Sequence, residues 1–388
     1  MSVRPAALNV PDPLDIKLLA GGEVAFERIL RRIDEARSSI YLRCFSWRDD
    51  DTGGTVARAL LRAAERGVKI TILKDRVGMH YEYLEGDNQS FFHKRIGLGV
   101  RLQTWFLMAA YGRWGSLRQN PSPHADALLQ HPNITVSRDD KRFDHSKLWV
   151  FDDELVILGG MGIGDDSRWK NVDFMVELTG REAATRLADR YEGRAAFDPQ
   201  RSFDYLLHSF SAGTDGDDSL REQRLRLIAS ARQRLTIEMA YLGDRACADA
   251  MADAVNRGVV VTLLTSARAN VLGDLNLRTC HELLRRTNNA PNLRIFLHPR
   301  MVHGKAIVVD GLWVDIGSAN FTRLSHGGYE EVNLYCQDAA FAEAVERAIE
   351  HEIADSQEAR HPIPHSPINA LIERMISSYQ AAVRTRNS

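Results

Sequence analysis

The stretch DHSKLWVFDD, residues 144–153, decides how this chain folds and where its chemistry lies. Its middle, LWVF, is apolar and is typical of a strand that enters a protein core. Residues two apart on a strand point to the same face, so His145 and Lys147 are predicted to project side by side where this strand begins. A single histidine at a strand edge is more often structural than catalytic, so one copy of the motif carries little weight.

A second copy of the motif occurs later in the chain, as VHGKAIVVDG at residues 302–311. Both copies place a histidine, a lysine and an aspartate at the spacing His-x-Lys-x4-Asp. These residues are His145, Lys147 and Asp152 in the first copy and His303, Lys305 and Asp310 in the second. Two occurrences of this spacing at equivalent places are a strong signal by the standards of short motifs.

The repetition extends well beyond the motif. Residues 36–75 and 231–265 both read as a strand, a loop, an amphipathic helix, an Arg-Gly-Val turn and another strand. Strand-helix-strand units of this kind pair their strands in parallel through a right-handed crossover. The sequence therefore predicts an α/β protein of two repeated lobes about a pseudo-two-fold axis, each lobe a mixed, mostly parallel sheet flanked by helices.

The boundary between the lobes is predicted from composition. SAGTDGDDS, residues 211–219, is typical of a loop. We predict a first lobe over residues 1–210, a second lobe over residues 219–360 and an amphipathic C-terminal helix over residues 366–386. The first copy has more residues before its motif than the second, which indicates an insertion near residues 96–131.

Further positions match after each motif. Gly160 corresponds to Ser318, and an acid lies 28 residues after each motif histidine, as Asp173 and Glu331. Two lysine ammonium groups suit a phosphate group. Of two histidines beside a phosphorus atom, one can attack as a neutral imidazole while the other serves as acid and base. The two acids are the best candidates to orient the histidines, and no residues at metal-ligand spacing appear beyond the motif.

The duplicated motif, followed by Gly-Gly or Gly-Ser, resembles the phospholipase D superfamily and is most similar to bacterial cardiolipin synthase-type phosphatidyltransferases. The resemblance covers residues from about 20 to 355. It implies phosphatidyl transfer or hydrolysis on phospholipids through a covalent phosphohistidine, with no metal and no cofactor. It implies that His145 is the nucleophile and His303 the acid and base. Asp152 and Asp310 would complete the catalytic motif, mostly by bonding backbone near its turn. The residues implied to bind the substrate are Lys147, Lys305, Ser318, Asn320 and Gly160.

The chain departs from that family at one position. The family usually has Asn after the paired small residues, as the second copy does at Asn320, whereas the first copy has Gly162. One donor on the phosphate side is therefore missing. Either the site is asymmetric, or a nearby group such as Ser167 or Asn171 takes the place of the missing donor.

Composition bears on location and partners. The net charge of −2 gives no support to a nucleic-acid partner, although a local basic groove stays open. The N-terminus lacks the apolar segment of a signal peptide, and no apolar run approaches the length of a membrane span. We therefore predict a cytoplasmic protein that acts on phospholipid, with attachment to an anionic membrane on the inner face of the bacterial cell as an extension. The sequence leaves the oligomeric state open.

Two apolar segments support the membrane hypothesis, each with a plainer alternative. The insertion combines apolar residues with arginines, which suits a membrane interface or an extra helix packed on the lobe. These residues are Trp105, Phe106, Leu107, Met108, Tyr111 and Trp114, with Arg101, Arg113 and Arg118. The C-terminal stripe could dock on its own domain, lie on a bilayer or mediate self-association. It consists of Ile368, Leu371, Ile372, Met375, Ile376, Tyr379, Ala382 and Val383, beside Arg374, Arg384 and Arg386.

Three functions compete on this basis. The first is phosphatidyl transfer or hydrolysis at a membrane surface, which the apolar insertion and the C-terminal stripe favour. The second is a nuclease or phosphodiesterase of the same superfamily, which would need a basic groove. The third is an inactive scaffold, against which the two complete sets of motif residues argue.

Overall fold

A computed structural model describes residues 15–83, 90–93, 97–110, 123–210, 217 and 219–385. The first part of the chain forms β1 (Asp15–Ala20), α1 (Gly22–Glu35), β2 (Ser39–Cys44), α2 (Asp51–Glu65), β3 (Lys69–Lys74), α3 (Gly78–Glu82), α4 (Leu98–Ala110), α5 (Pro123–Gln130), β4 (Ile134–Ser137), β5 (Leu148–Phe151), β6 (Leu155–Gly159), a π-helical turn (Asp166–Lys170), β7 (Phe174–Thr179) and α6 (Arg181–Tyr191). The second part forms β8 (Phe203–His208), α7 (Ser219–Ser230), β9 (Arg234–Met239), α8 (Arg245–Asn256), β10 (Val260–Ser266), α9 (Gly273–Arg286), β11 (Leu293–His298), β12 (Lys305–Val309), β13 (Trp313–Gly317), β14 (Glu331–Gln337), α10 (Ala339–Ala354), β15 (Gln357–Glu358) and α11 (Pro367–Thr385).

Two sheets of equivalent topology form the centre of the molecule. The first has the order β1-β7-β6-β5-β2-β3-β4, and the second has the matching order β8-β14-β13-β12-β9-β10-β11 with β15 added at its edge. This correspondence confirms the predicted α/β architecture of two mixed sheets flanked by helices.

Within the described residues, antiparallel pairs outnumber parallel ones, unlike the mostly parallel sheets that the sequence predicted. Parallel pairing is confined to β2, β3 and β4 and to β9, β10 and β11. The motif strands β5 and β12 pair antiparallel with both neighbours. For β5 and β6 the reason is the length of their connection: three residues join the two strands, and so short a link permits only an antiparallel hairpin.

The boundary between the two sheets differs from the predicted one. Strand β8 falls in the segment assigned to the first lobe, residues 1–210, but it pairs with β14 of the second sheet over six residues. In the first sheet β1 holds the equivalent place beside β7. The strands of the first sheet all come before residue 203. Strand β8 belongs to the second sheet, where it pairs with the outer backbone groups of β14.

Three apolar layers hold the molecule together. One lies between the first sheet and α1, α2 and α5, and a second lies between the second sheet and α7, α8 and α9. The third lies between the two sheets, where Leu148 and Val156 of the first meet Ala306 and Val308 of the second. This middle layer sets the two motif strands, β5 and β12, on facing sheets.

The described helices of the first lobe without a counterpart in the second are α3 and, within the predicted insertion, α4. Helix α5 also falls within the predicted insertion, but it packs on α2 as α9 packs on α8, so it belongs to the repeated design. Helix α4 and the C-terminal helix α11 meet in one small apolar cluster, through Met108 and Ile376. Among the described helices, none has the length and apolar character to cross a bilayer. Some residues of the two apolar segments lie outside the described backbone or side chains, namely Tyr111, Arg113, Trp114, Arg118, Tyr379, Ala382, Val383, Arg384 and Arg386.

Candidate active site

Each motif histidine is held by the backbone of the opposite lobe. The amide of His145 donates to the carbonyl of Glu330 at 2.8 Å, and the amide of His303 donates to the carbonyl of Val172 at 2.6 Å. Two short parallel bridges, Asp144 with Glu330 and Val172 with Val302, make these crossings. The segment that carries the acid of one lobe therefore lies beside the histidine of the other lobe.

The two acids follow these bridges and pair crosswise with the histidines. His145 Nδ1 lies 3.0 Å and 3.1 Å from the two carboxylate oxygens of Glu331. His303 Nδ1 lies 2.8 Å from Asp173 Oδ2. Each acid lies 28 residues after the motif histidine of its own copy, and the structure places each acid against a motif histidine. The histidine that it contacts, however, is that of the other copy.

The Glu331 carboxylate fixes the reactive nitrogen of His145. Burial acts to raise the pKa of Glu331, but His145, Lys147 and Ser318 together hold that pKa below its ordinary value. An ionised carboxylate only accepts hydrogen bonds, so Nδ1 of His145 carries the proton and Nε2 is left as a lone-pair nitrogen. Burial lowers the pKa of His145 to about 4, and it also lowers the pKa of His303.

The two lysines are buried beside the histidines. Nζ of Lys147 and Nζ of Lys305 each donate to the backbone carbonyl of their own motif histidine. Burial lowers the pKa of Lys147 to about 7 and that of Lys305 to about 8. A bound phosphate group would stabilise the charged form of both lysines, since opposite charge favours ionisation.

The surroundings of the two histidines differ. The ring of His145 stacks on Tyr329 with centroids 5.4 Å apart and meets the edge of Phe45 at 4.8 Å. The ring of His303 has an edge contact with Tyr241 at the longer distance of 6.3 Å. His145 is thus held between two aromatic rings, whereas His303 is held chiefly by Asp173.

Ser318 and Gly160 act on the two acids rather than projecting into open space. The hydroxyl of Ser318, fully buried, donates to Glu331 Oε2 at 2.6 Å. A Cβ added at Gly160 would lie 2.4 Å from Asp173 Oδ1, so only glycine leaves room for that carboxylate. Direct contact of either residue with a substrate stays a prediction.

The missing asparagine of the first lobe has a structural counterpart that the sequence analysis did not identify. A Cβ added at Gly162 would lie 2.1 Å from Ser46 Oγ, so the Ser46 side chain takes the space that a larger residue would need. Ser167 and Asn171, the predicted replacements, line the same cleft. In the second lobe, Asn320 also lines the cleft, and its Oδ1 has no hydrogen-bond partner among the described residues.

The two motif aspartates lie apart from this cleft. Asp152 accepts hydrogen bonds from the backbone amides of residues 37–39, the shortest at 2.7 Å from Ser38. Asp310 accepts the equivalent bonds from residues 232–234. Both sit at the far end of the motif strands from the histidines, in left-handed backbone conformation. They fix the turn after each motif strand and do not meet the other six predicted catalytic residues.

The cleft lies between the lobes and is bounded by several helices. Among its lining are both motif histidines, Lys147, Ser377 of α11 and Tyr81 of α3. One group of potential metal ligands occurs in the described part of the chain, formed by Asp244, Cys247 and His326. It lies outside this cleft, and Arg221 donates to Asp244 at 3.1 Å, which leaves a cationic group where a metal ion would bind.

Comparison with known proteins gives a consistent result. The family described as cardiolipin synthase, PLD-like domain, matches residues 29–194 and 225–353. Cardiolipin synthase A of Pseudomonas entomophila (strain L48) is 28% identical over 368 residues, which cover 89% of this chain and 69% of that protein. Cardiolipin synthase B of Escherichia coli (strain K12) is 24% identical over 349 residues, covering 84% of this chain and 77% of that protein.

The fold also has a solved counterpart. The crystal structure of phosphatidylserine synthase from Haemophilus influenzae Rd KW20 matches with a TM-score of 0.68 at 15% identity, over 95% of this chain and 94% of that one. At this level of identity the likeness concerns the fold alone.

Proposed function

This chain belongs to the cardiolipin synthase, PLD-like domain family, and from that premise we propose that it transfers a phosphatidyl group between alcohols, as a cardiolipin synthase does. The single observation that carries the proposal is the crosswise pairing of two histidines with two carboxylates around one cleft. Two imidazoles with fixed tautomers and two buried ammonium groups supply what a phosphodiester exchange needs.

The reaction would run in two displacements on phosphorus. In the first, His145 Nε2 forms a bond to phosphorus, the bond to the leaving alcohol breaks, and His303 gives its proton to the leaving oxygen. In the second, His303 takes the proton of the acceptor alcohol, whose oxygen displaces His145 from phosphorus. Water in place of the alcohol would release phosphatidic acid.

The difference between the histidines supports this division of roles. A nucleophile must be neutral, and burial lowers the pKa of His145 to about 4. His303 must carry a proton at the moment of leaving-group departure. Burial lowers the pKa of His303, but its Asp173 partner acts against that shift, and the negative charge of a bound phosphodiester would also favour the imidazolium.

The lysines would neutralise the phosphoryl oxygens without a metal ion. Lys147 lines the cleft, Lys305 of the other lobe has its Nζ 3.1 Å from His303 Nδ1, and the amide Nδ2 of Asn320, which also lines the cleft, would donate beside them. Charge-assisted donors of this kind stabilise the charge that develops on phosphoryl oxygens. We therefore expect EDTA to leave the activity unchanged.

Peripheral attachment to a membrane is the second part of the proposal. Helix α4 exposes Leu102, Trp105 and Phe106, and Phe106 is 65% exposed. Helix α11 exposes Ile368, Leu371, Ile372 and Met375. Ile376 of α11 and Met108 of α4 belong to one buried apolar cluster, and Ser377 of α11 lines the cleft, so we infer that the exposed apolar residues of the two helices form one apolar surface near the cleft. Such a surface suits the boundary between lipid headgroups and acyl chains.

The covalent step is tested by trapping the intermediate. The protein is mixed with a phosphatidyl ester of p-nitrophenol, whose leaving group departs without a proton from His303, then quenched in alkali and digested, and phosphorylated peptides are identified by mass spectrometry. We expect His303→Ala to accumulate an acid-labile adduct on His145, and His145→Ala to give none. An adduct on His303 in the His145→Ala variant would reverse the assigned roles.

The product assay distinguishes lipid transfer from the alternatives. Wild-type protein and phosphatidylglycerol should yield cardiolipin and glycerol, or phosphatidic acid where water is the acceptor. Absence of lipid products together with cleavage of nucleic acid would favour the nuclease. Indifference to both His145→Ala and His303→Ala would indicate a scaffold.

A further inference from the structure

A groove rich in arginine lies beside the C-terminal helix, outside the catalytic cleft. It is lined by residues of α9, of the start of α8 and of α11, which packs on α9. Five arginines line it, against two acidic residues, Asp244 and Glu282. The arginines are Arg245, Arg278, Arg285, Arg286 and Arg374.

The groove has a fixed floor. Glu373 of α11 is buried and accepts a hydrogen bond of 2.7 Å from the backbone amide of Leu275, in the first turn of α9. Asn369 of α11 donates to Asp274 at 3.0 Å, one turn earlier along the helix. These contacts hold α11 against the N-terminal end of α9, so the groove exists before any ligand arrives.

Part of the positive charge in the groove has no ionic partner. Arg286 pairs with Asp249 at 2.6 Å, and Arg285 pairs with Glu282 at 2.8 Å. Arg278 and Arg374 have no ion pair among the described residues. Arginine forks of this kind bind phosphate oxygens well, because their planar donors match the oxygen geometry.

The position of Arg374 links the groove to the apolar surface. Arg374 is flanked on α11 by exposed Leu371 and Met375, and Met375 is 64% exposed. Arginine beside apolar residues on one helix can keep its charge among headgroups while its neighbours enter the acyl region. A nucleic acid would not account for the apolar half of this surface.

We propose that this groove is a headgroup site for anionic phospholipid, separate from the catalytic cleft, which binds a lipid that is not the reacting one. The inference rests on the proposed membrane function. It extends that function by assigning the contact with anionic headgroups to Arg278 and Arg374. Each basic residue near an anionic bilayer contributes about 1 kcal/mol to binding, so reversal of both charges should weaken binding by 30-fold or more.

The test uses full-length protein in a His145→Ala background, so that no lipid is consumed. Vesicles of phosphatidylcholine with phosphatidylglycerol are compared with vesicles of phosphatidylcholine alone, by sedimentation at low salt. The variant is Arg278→Glu with Arg374→Glu. The matched control is Arg31→Glu on α1 with Arg37→Glu just after α1, an equal charge change at exposed positions where neither side chain has an ion pair among the described residues.

We expect the groove variant to lose binding to the anionic vesicles while the control keeps it, and we expect added salt to weaken the wild-type binding. Equal loss in both pairs would mean that only net charge matters, and unchanged binding by the groove variant would also overturn the inference. So would tighter binding to single-stranded DNA that the groove variant abolishes.

A second measurement separates this inference from the proposed function. With His145 intact, turnover of a soluble short-chain phosphatidylglycerol should be the same in the groove variant and the wild type, since the cleft is untouched. Turnover by the wild type without vesicle binding would refute the headgroup site and leave the proposed reaction standing. Vesicle binding that depends on the groove, without any turnover, would refute the proposed reaction and leave the headgroup site standing.

Discussion

At the scale of single residues, the site depends on how each carboxylate holds its histidine. Glu331 receives hydrogen bonds from His145 Nδ1 and from the hydroxyl of Ser318, so Ser318 acts on the histidine through the acid. Asp173 has no such hydroxyl, because Gly160 stands at the equivalent position and gives it room instead. The two halves of the site therefore reach the same geometry by different means.

The Glu331→Gln variant should lower kcat by about 10²-fold to 10⁴-fold with little change in KM, because Gln keeps the volume but no longer fixes the tautomer of His145. Ser318→Ala should lower kcat less. In the Glu331→Gln background, the Ser318→Ala change should have almost no effect on kcat. Additive losses in the double variant would instead indicate that Ser318 contacts the substrate directly.

The pair of Ser46 and Gly162 allows a test of steric exchange. Gly162→Asn alone should lower activity and thermal stability, because its Cβ would overlap Ser46 Oγ. Adding Ser46→Gly should recover much of the stability, because the space is then free. Equal melting temperatures of the single and double variants would contradict this account.

The lysines predict an alkaline limit to activity. Burial lowers the pKa of Lys147 to about 7 and that of Lys305 to about 8, so both lose their charge in the free enzyme as pH rises. We expect kcat/KM, which reports the free enzyme, to fall as pH rises through 7 and 8. A profile of kcat/KM that stays level to the ordinary pKa of lysine would mean that both lysines keep their charge in the free enzyme, which would contradict the lowering of their pKa by burial.

The sequence identified most of these residues but not their partners. The repeated spacing was sufficient to find both histidines, both lysines and both acids. It could not show which acid meets which histidine, because that depends on the packing of one sheet on the other. Ser46 was missed for the same reason, since its contact with Gly162 joins two loops far apart in the chain.

At the scale of elements, the two backbone bridges between the lobes, Asp144 with Glu330 and Val172 with Val302, lie at equivalent places but differ in the side chains around them. Under His145 the crossing is ionic: Arg43 pairs with Asp144 at 2.8 Å and with Glu330 at 2.9 Å. Under His303 it is apolar, formed by Val172 and Val302. At the position of Arg43, strand β9 has Glu238, which is fully buried.

Glu238 should make stability depend on pH. Burial, with the charge of Asp173, raises its pKa well above the ordinary value, so it is protonated when folded and ionises on unfolding at neutral pH. Its contribution to stability is complete below pH about 4.5 and is lost as pH rises towards the folded pKa. As pH rises through this range, the free energy of unfolding of wild type should therefore fall relative to that of Glu238→Gln by about 1.4 kcal/mol per pH unit.

Denaturant unfolding at several pH values between 5 and 8 measures this difference. Lys305→Met serves as a second variant, because Lys305 opposes the effect of Asp173 on Glu238. A gap between Glu238→Gln and wild type that does not change with pH would mean that Glu238 is ionised in the folded protein.

Strand β8 shows which elements the sequence could not assign. The segment FDYLLH is recognisably a strand, but nothing local to it indicates whether it pairs with β7 or with β14. Its partner follows it by more than a hundred residues, and such pairings are set by the packed sheet as a whole. The strand-helix-strand units, in contrast, were predicted correctly because their pairing is nearly local.

At the scale of the whole molecule, neither lobe contains a complete catalytic set. His145 depends on Glu331 and His303 depends on Asp173, each across the interface. We expect residues 1–199 and 200–388, expressed separately, to be inactive alone and active when combined, because β8 then stays with its sheet. Activity of either fragment as a monomer, established by size-exclusion chromatography of the assayed sample, would contradict the crosswise pairing; solubility of the mixture is the control.

The crosswise pairing also has a consequence for descent. A gene for one lobe would have encoded an inert monomer, since its histidine would lack the acid that orients it, but two identical copies joined about a two-fold axis would have given a working enzyme. Selection could therefore act first on a symmetric dimer. Once duplication joined the copies in one chain, each could change alone, and Gly162 opposite Asn320 and Val172 opposite Glu330 are marks of that freedom.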